Sequence, residues 1–322
     1  MSLTIDAPFT AIPVIDLASI GSTNPVVRRA LVNEIKRACT DVGFFYVKNH
    51  GIPDPVIGRA LALMRRFFDL PLVAKLEVEN TKTPNFKGYS PVLSGNNDPN
   101  GAGDLQEGFE FGYEALDGAG QDEEHGLGAN AWPMQLPEFR DAALEYYHRA
   151  LALGRLLFPL FALALDLPED FFTDKTKHSA ALMRLLHYPP QSGEVDARVI
   201  GIGAHTDWEC FTILWQEPGI PALQVLNSSK EWIDAPPTEG TLVINLGDEL
   251  ARWTNDVFKS TVHRAINRSG VRRYSIPLFF GTDYDVKLEP IASCVSAERP
   301  AKYEVITAGE YIKGRLRATY GH

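Results

Sequence analysis

The chain has 322 residues and is acidic, with 31 Lys and Arg against 41 Asp and Glu, a formal charge of −10. At 45% hydrophobic and 22% charged it reads as a soluble globular protein of about two domains, with enough chain for a full core without disulfide staples. The composition excludes several classes: the acidic balance argues against nucleic-acid or anionic-membrane binding, no apolar run approaches a membrane span, and the N-terminus lacks the basic and apolar regions of a signal peptide.

Residues 25–41 put Val27, Leu31, Ile35 and Ala38 on one helical face, with Gly43 just past the end as a stop. Residues 44–48 form a short apolar strand ended by the Asn49-His50-Gly51 turn. Asp54-Pro55 supplies an N-cap and first turn for a second helix ending near Asp69. Two long loops follow, at 93–104 and 117–126, of the kind that serve as lids or as plain surface loops. A long helix is expected over 137–165, bent near Pro159.

After residue 179 short apolar runs recur with turns between them: ALMRLLHY, VIGIGAH, FTILW, ALQVL, TLVINL, STVHRAI, RRYSIPLFF and YEVI. Such spacing predicts an antiparallel sandwich or barrel. Thr307-Ala308-Gly309-Glu310 is a capping-box pattern opening a C-terminal helix. The fold class is therefore α+β, with a helical or mixed N-terminal region at 1–178 and a β-rich region at 179–322. No clean linker separates them, so one integrated catalytic unit is expected.

Three scattered cysteines, Cys39, Cys210 and Cys294, with no CxxC spacing, argue against a disulfide framework or thiolate zinc site and for a reducing cytoplasm. HExxH, the Walker A loop, GxGxxG after a strand and GxSxG are all absent, which weakens the common protease, nucleotide-hydrolase, dehydrogenase and esterase readings. What remains is His205-Thr206-Asp207-Trp208. On a strand, i and i+2 share a face, so His205 and Asp207 would aim an imidazole and a carboxylate at one point. His263 follows in a later predicted strand. Two histidines and one carboxylate on one side of a metal leave the other positions open, the facial triad of non-haem Fe(II) oxygenases.

Arg273 and Ser275 share a strand face in Arg273-Tyr274-Ser275. An arginine fork and a hydroxyl beside a metal with open positions call for an acidic chelating cosubstrate. Residues 267–270 read as a turn, so the strand of Arg273 is expected to pair with that of His263. Tyr188 could add another hydroxyl. His187, which alternates with it, and His50 are read as structural.

Taken in order, these segments resemble the iron(II)/2-oxoglutarate-dependent dioxygenases of the isopenicillin-N-synthase-like branch. The resemblance spans nearly the whole chain. It rests on residues 12–17 and 43–51, on HTDW at 205–208, on Asn245-Leu246-Gly247-Asp248, on His263-Arg264 and on Arg273-Tyr274-Ser275. It implies a double-stranded β-helix (jelly-roll) core with N-terminal and flanking helices. It makes His205, Asp207 and His263 the iron ligands. It makes Arg273 and Ser275 the clamp on 2-oxoglutarate, with Tyr188 a further contact. One departure stands out: many plant members read Asn-Tyr-Tyr-Pro where this chain has Leu186-His187-Tyr188-Pro189, so one expected cosubstrate contact is lost.

The implied reaction consumes 2-oxoglutarate and dioxygen at Fe(II), with ascorbate as a supporting reductant, and releases succinate and carbon dioxide. Hydroxylation is the expected outcome, with desaturation, demethylation and cyclisation open. The expected substrate is a small, largely apolar or aromatic metabolite, as in secondary metabolism. Phe279 is the leading pocket residue, being on the face of Arg273, followed by Phe211, Trp215, Phe109 and Phe111. The alternatives are a 2-oxoglutarate-independent oxidase, a non-catalytic jelly-roll binding module and a zinc hydrolase. No nucleic-acid or membrane partner is expected, and the oligomeric state is open, a monomer being compatible.

Overall fold

A computed structural model describes residues 7–85, 87–95, 103–116, 129–191 and 200–320. Strand β1 (Val14–Asp16) lies parallel to β2 (Phe44–Lys48), and α1 (Pro25–Arg37) connects them. Asn24 caps α1, its side chain accepting from the Val26 amide at 2.9 Å. The helix runs into a π-turn at Ala38–Val42 that Gly43 ends at φ 75°, a conformation glycine adopts without strain. Leu31, Val32 and Ile35 form the buried face, while Val27, expected with them, is exposed.

Helix α2 (Asp54–Phe68) begins at Asp54 itself, so Asp54 is the first helical residue and not the cap. A short helix α3 (Leu72–Lys75) follows, then β3 (Gly88–Ser90) and β4 (Glu107–Gly112). Helix α4 (Pro137–Ala164) contains Pro159 and packs against α1, α2 and the last long strand. Of the two long loops expected, 117–126 lies outside the described residues, as do residues 96–102 of the first. The stem of the first is held by Leu93 N–H to Asp104 O at 3.1 Å and Asp104 N–H to Gly95 O at 2.8 Å.

The remaining strands are β5 (Ala181–Tyr188), β6 (Ile202–His205), β7 (Phe211–Gln216), β8 (Leu223–Leu226), β9 (Trp232–Asp234), β10 (Thr241–Leu246), β11 (His263–Ala265) and β12 (Arg273–Phe280). Helix α5 (Asp248–Trp253) follows β10, and α6 (Ala308–Tyr320) closes the chain. The capping box at α6 is present: Thr307 N–H donates to Glu310 Oε2 at 2.8 Å, and Glu310 N–H returns to Thr307 Oγ1 at 3.1 Å. The run at 303–306, expected as a strand, is not one. Only Thr307 bridges to Lys287, and residue 304 spends its carbonyl on the Arg252 side chain.

An eight-stranded sheet has the order β1-β2-β10-β7-β12-β5-β4-β3, and a four-stranded one the order β6-β11-β8-β9. Together they are the jelly-roll of an α+β fold. Four strands of the larger sheet come from before residue 178, so the N-terminal region contributes to the core sheet as well as wrapping it. The expected pairing of β11 with β12 does not occur. The 267–270 turn carries the chain from the smaller sheet to the larger, where β12 lies between β5 and β7. An apolar hairpin would put both strands in one sheet; here β11 already has β6 and β8 on its two edges.

Strand alternation sorts the larger sheet into two faces. In β12, Tyr274, Ile276, Leu278 and Phe280 belong to the main apolar core, while Arg273, Ser275, Pro277 and Phe279 line a cavity between the sheets.

Candidate active site

His205 is the last residue of β6 and Asp207 lies beyond it, so their convergence comes from a turn and not from strand alternation. His263 opens β11 directly opposite His205 in the antiparallel register. His205 Nδ1 lies 2.7 Å from Gly203 O, and His263 Nδ1 lies 3.1 Å from Thr261 O. A carbonyl only accepts, so both Nδ1 atoms carry the proton and both Nε2 atoms present lone pairs. Those Nε2 atoms lie 3.5 and 3.6 Å from Asp207 Oδ1. The edge of Phe44 packs on His263, with ring centroids 5.1 Å apart.

The second carboxylate oxygen of Asp207 is occupied. Asn245 Nδ2 donates to Oδ2 at 2.6 Å and Thr212 Oγ1 donates to it at 2.5 Å. Burial alone would raise the Asp207 carboxyl, but His263 and His205 beside it hold it well below the usual carboxylate range. Burial, then the neighbouring His205, lowers His263 to about 4. For His205 burial is outweighed by Asp207, which raises it. Three lone-pair donors within 4.8 Å of one another, one of them anionic, fit a divalent metal.

The turn carrying Asp207 is held from below. Asp248 N–H donates to Asp207 O at 2.8 Å, Glu249 N–H to Trp208 O at 2.9 Å, and Gly247 N–H to Cys210 O at 3.0 Å. A Cβ on Gly247 would sit 2.1 Å from Glu209 O, so only glycine allows this approach.

Arg273 is 1% exposed. Its Nη2 donates to Gln216 Oε1 at 3.2 Å, while Nε and Nη1 have no protein partner among the described residues. Its guanidinium carbon lies 4.7 Å from the centre of the Tyr188 ring, and the register pairs Arg273 with Tyr188 and Ser275 with Leu186. Tyr188 Oη and Ser275 Oγ are 3.3 Å apart. Buried donors left open beside a metal-type donor set are what an acidic chelating cosubstrate requires, since an unpaired buried guanidinium is costly. His187 faces the other way. Its Nδ1 contacts Glu107 Oε1 at 2.7 Å and its ring stacks on Tyr274 at 4.9 Å. His50 Nδ1 accepts from the Ile52 amide at 3.2 Å within its turn.

Of the five aromatic residues expected at the pocket, the structure brings only Phe279 to it. Phe211 stacks on Phe280 at 5.2 Å and meets Phe158 at 5.1 Å. Trp215 is buried in the main core, Phe109 packs on Phe67 at 5.0 Å, and Phe111 packs on Trp132 at 5.1 Å. The reason is parity. Phe279 pairs with Thr212, so Thr212 and Leu214 face the cavity, and Phe211 and Trp215 face the helices. In β4, Glu110 faces the cavity and its two phenylalanine neighbours do not.

The same parity exposes residues that sequence reasoning missed. Arg184 and Glu110, opposite each other in β5 and β4, form an ion pair at 2.6 Å on the cavity wall. Glu209 lines the cavity beside the metal turn. Burial first, then the charge of Asp207, pushes the Glu209 carboxyl up to about 8.

Comparison with known proteins gives the family. Residues 12–135 match the family of the non-haem dioxygenase N-terminal region in morphine synthesis, and residues 179–282 match the 2OG-Fe(II) oxygenase superfamily. The 2-oxoglutarate-Fe(II) type oxidoreductase hxnY of Emericella nidulans is 36% identical, covering 97% of this chain and 91% of its own. The homoarginine-6-hydroxylase 2-ODD-C23 of Glycine max is 33% identical over 97% of this chain and 98% of its own. A full-length Neurospora crassa protein, solved in complex with alpha-KG (2-oxoglutarate) and thymine, superposes with a TM-score of 0.85 at 31% identity, covering 96% of this chain and 97% of that one.

The chain belongs to the 2OG-Fe(II) oxygenase superfamily. It is a dioxygenase that uses ferrous iron and 2-oxoglutarate to oxidise a small molecule. No helix among the described residues is long and apolar enough to cross a membrane.

Proposed function

We propose that His205, Asp207 and His263 hold the iron, and that Arg273, Ser275 and Tyr188 hold the distal carboxylate of 2-oxoglutarate. The observation that carries this reading is the pair of open, buried Arg273 N–H groups lining the same cavity as the three convergent lone pairs. Bound together, iron, 2-oxoglutarate and dioxygen supply the oxidising power, with succinate and carbon dioxide released.

The protein's own residues orient and insulate. Thr212 and Asn245 fix which oxygen of Asp207 meets the metal. The Gly203 and Thr261 carbonyls fix the tautomers of the two histidines. Gln216 steadies one arm of the Arg273 fork. Leu186, Leu214 and Leu223 give the cavity apolar walls, and Phe279 with Trp208 offers aromatic faces to the substrate.

Hydroxylation is the proposed outcome. The two halves of the chain act as one catalytic unit, since β10 and β12, from one half, share a sheet with β2 and β4, from the other. An enzyme built from His and carboxylate ligands with three free, buried cysteines suits a reducing cytoplasm. A zinc hydrolase would leave the Arg273 donors without a role.

The test is turnover by the purified protein with ferrous iron, 2-oxoglutarate, ascorbate and a metabolite library, read by mass spectrometry. Succinate together with a product heavier by one oxygen supports hydroxylation. A product lighter by two hydrogens assigns desaturation instead.

A further inference from the structure

Arg273 and Ser275 flank Tyr274 on β12, so the backbone of Tyr274 sets where the clamp stands. Across an antiparallel pair, opposed residues can exchange both N–H···O bonds through their backbones. Strand β7 stops at Gln216, opposite Ser275, and the chain then turns away through Pro218 and Gly219, the latter at φ 79°. Glu217 is the last residue before that turn. Its N–H donates to Tyr274 O at 3.2 Å, which is half of the exchange. Its side chain makes the other half: Tyr274 N–H donates to Glu217 Oε2 at 2.8 Å. A buried amide beside the clamp is thereby satisfied by a carboxylate where a regular ladder uses a carbonyl.

The carboxylate is itself held. Glu217 is 8% exposed, and its Oε1 pairs with Arg65 of α2. The Arg65 guanidinium carbon lies 5.5 Å from the centre of the Tyr274 ring, and that ring also stacks on His187 and meets Phe68 at 6.4 Å. Arg65 is half exposed, so its ion pair contributes little by itself, and the weight rests on the buried bond to Tyr274. Next to Glu217, Gln216 accepts from Arg273 Nη2 and donates from its own Nε2 to Ala235 O at 3.2 Å. Two consecutive residues at the end of β7 therefore hold the clamp, one by its guanidinium and the other by its backbone.

We infer that Glu217 is a positioning residue for 2-oxoglutarate, keeping Arg273 and Ser275 in place through the amide of the residue between them. Glu217 does not line the cavity, so it acts only through that amide. A fork that meets a carboxylate in two parallel bonds is sensitive to small displacements, which is why a support behind it matters. This inference rests on the clamp proposed above for Arg273 and Ser275.

The test is the Kd of the full chain, loaded with ferrous iron, for 2-oxoglutarate, measured by calorimetry without dioxygen. The Kd for iron is measured separately without 2-oxoglutarate. Glu217→Ala should weaken 2-oxoglutarate binding about tenfold, the scale of one hydrogen bond to a charged group, and leave iron binding in place. Two further variants separate reach from charge. Glu217→Gln keeps an acceptor at the same reach without the charge, and should bind 2-oxoglutarate within about threefold of the wild type. Glu217→Asp keeps the charge but falls one methylene short of the Tyr274 amide, and should weaken binding as Glu217→Ala does. An unchanged Kd in Glu217→Ala and Glu217→Asp, wild-type binding by Glu217→Asp with loss in Glu217→Gln, or equal weakening of iron and 2-oxoglutarate would overturn the assignment. Wild-type binding of 2-oxoglutarate by Arg273→Ala would instead remove the clamp itself.

Discussion

Asn245 Nδ2 donates to Asp207 Oδ2 at 2.6 Å, which leaves Oδ1 as the oxygen that meets His205 and His263. Asp207 is thus oriented by a neighbour that lies outside the proposed ligand set. Outer partners of this kind typically contribute tenfold to hundredfold in metal affinity. Asn245→Ala is expected to raise the iron concentration for half-maximal succinate release by about tenfold or more. Thr212→Val, removing the second donor to the same oxygen, should act in the same direction. An iron dependence unchanged in both variants would show that Asp207 needs no such support.

Arg273 predicts a different phenotype. Truncating one partner of a buried charged pair costs about 2–5 kcal/mol, so Arg273→Ala should raise the half-saturating 2-oxoglutarate concentration about thirtyfold or more. Arg273→Lys keeps the charge but loses the planar fork, and should fall between the two. Iron affinity in the absence of 2-oxoglutarate should stay near the wild-type value, which separates the clamp from the metal ligands.

Much of this site was legible in the sequence because its chemistry is concentrated in short segments. His205, His263, Arg273 and Ser275 are polar residues in strands, where polar groups need a reason, and Asp207 follows His205 two residues on, in the turn that ends its strand. The pocket aromatics were less legible because a strand buried on both faces shows no polar alternation: Phe211-Thr212-Ile213-Leu214-Trp215 gives little sign of which parity faces the cavity. Pairing supplied the missing information, through the opposition of Phe279 and Thr212. The placement of β11 and β12 in different sheets was likewise hidden, since a turn sequence does not record which sheet the next strand joins. Helix α4 was readable throughout, its core face being continuous.

Phe111 is fully buried against Trp132 and Tyr147, so Phe111→Ala should cost about 3–5 kcal/mol in urea unfolding. Phe279→Ala, on the cavity wall, should cost clearly less stability and change the KM for substrate. The reverse pattern would place the pocket on the wrong face of the sheet.

Glu107 gives a pH prediction. Its carboxylate accepts from Lys75 Nζ at 2.7 Å and Tyr89 Oη at 2.6 Å and contacts His187 Nδ1 at 2.7 Å. Burial opposes its charge, but these donors hold its carboxyl below the ordinary 4.5. A lowered carboxylate value contributes stability that is present above pH 4.5 and is lost as the pH falls through the folded-state value. Glu107→Gln should lose about 3–5 kcal/mol at neutral pH, because Lys75 stays buried without its counter-charge. Its stability should also decline less steeply than the wild type's on acidification below that point. Parallel acid profiles for the two proteins would assign the acid sensitivity to another group.

The central claim is that one cavity unites an iron site at His205, Asp207 and His263 with a 2-oxoglutarate clamp at Arg273. Dioxygen-dependent succinate release from 2-oxoglutarate, measured in the wild type, Asp207→Ala and Arg273→Ala, tests it most directly. Iron-dependent release is expected from the wild type, none from Asp207→Ala at any iron concentration, and recovery of Arg273→Ala only at much higher 2-oxoglutarate. Wild-type rates in Asp207→Ala, or an unchanged 2-oxoglutarate dependence in Arg273→Ala, would contradict it.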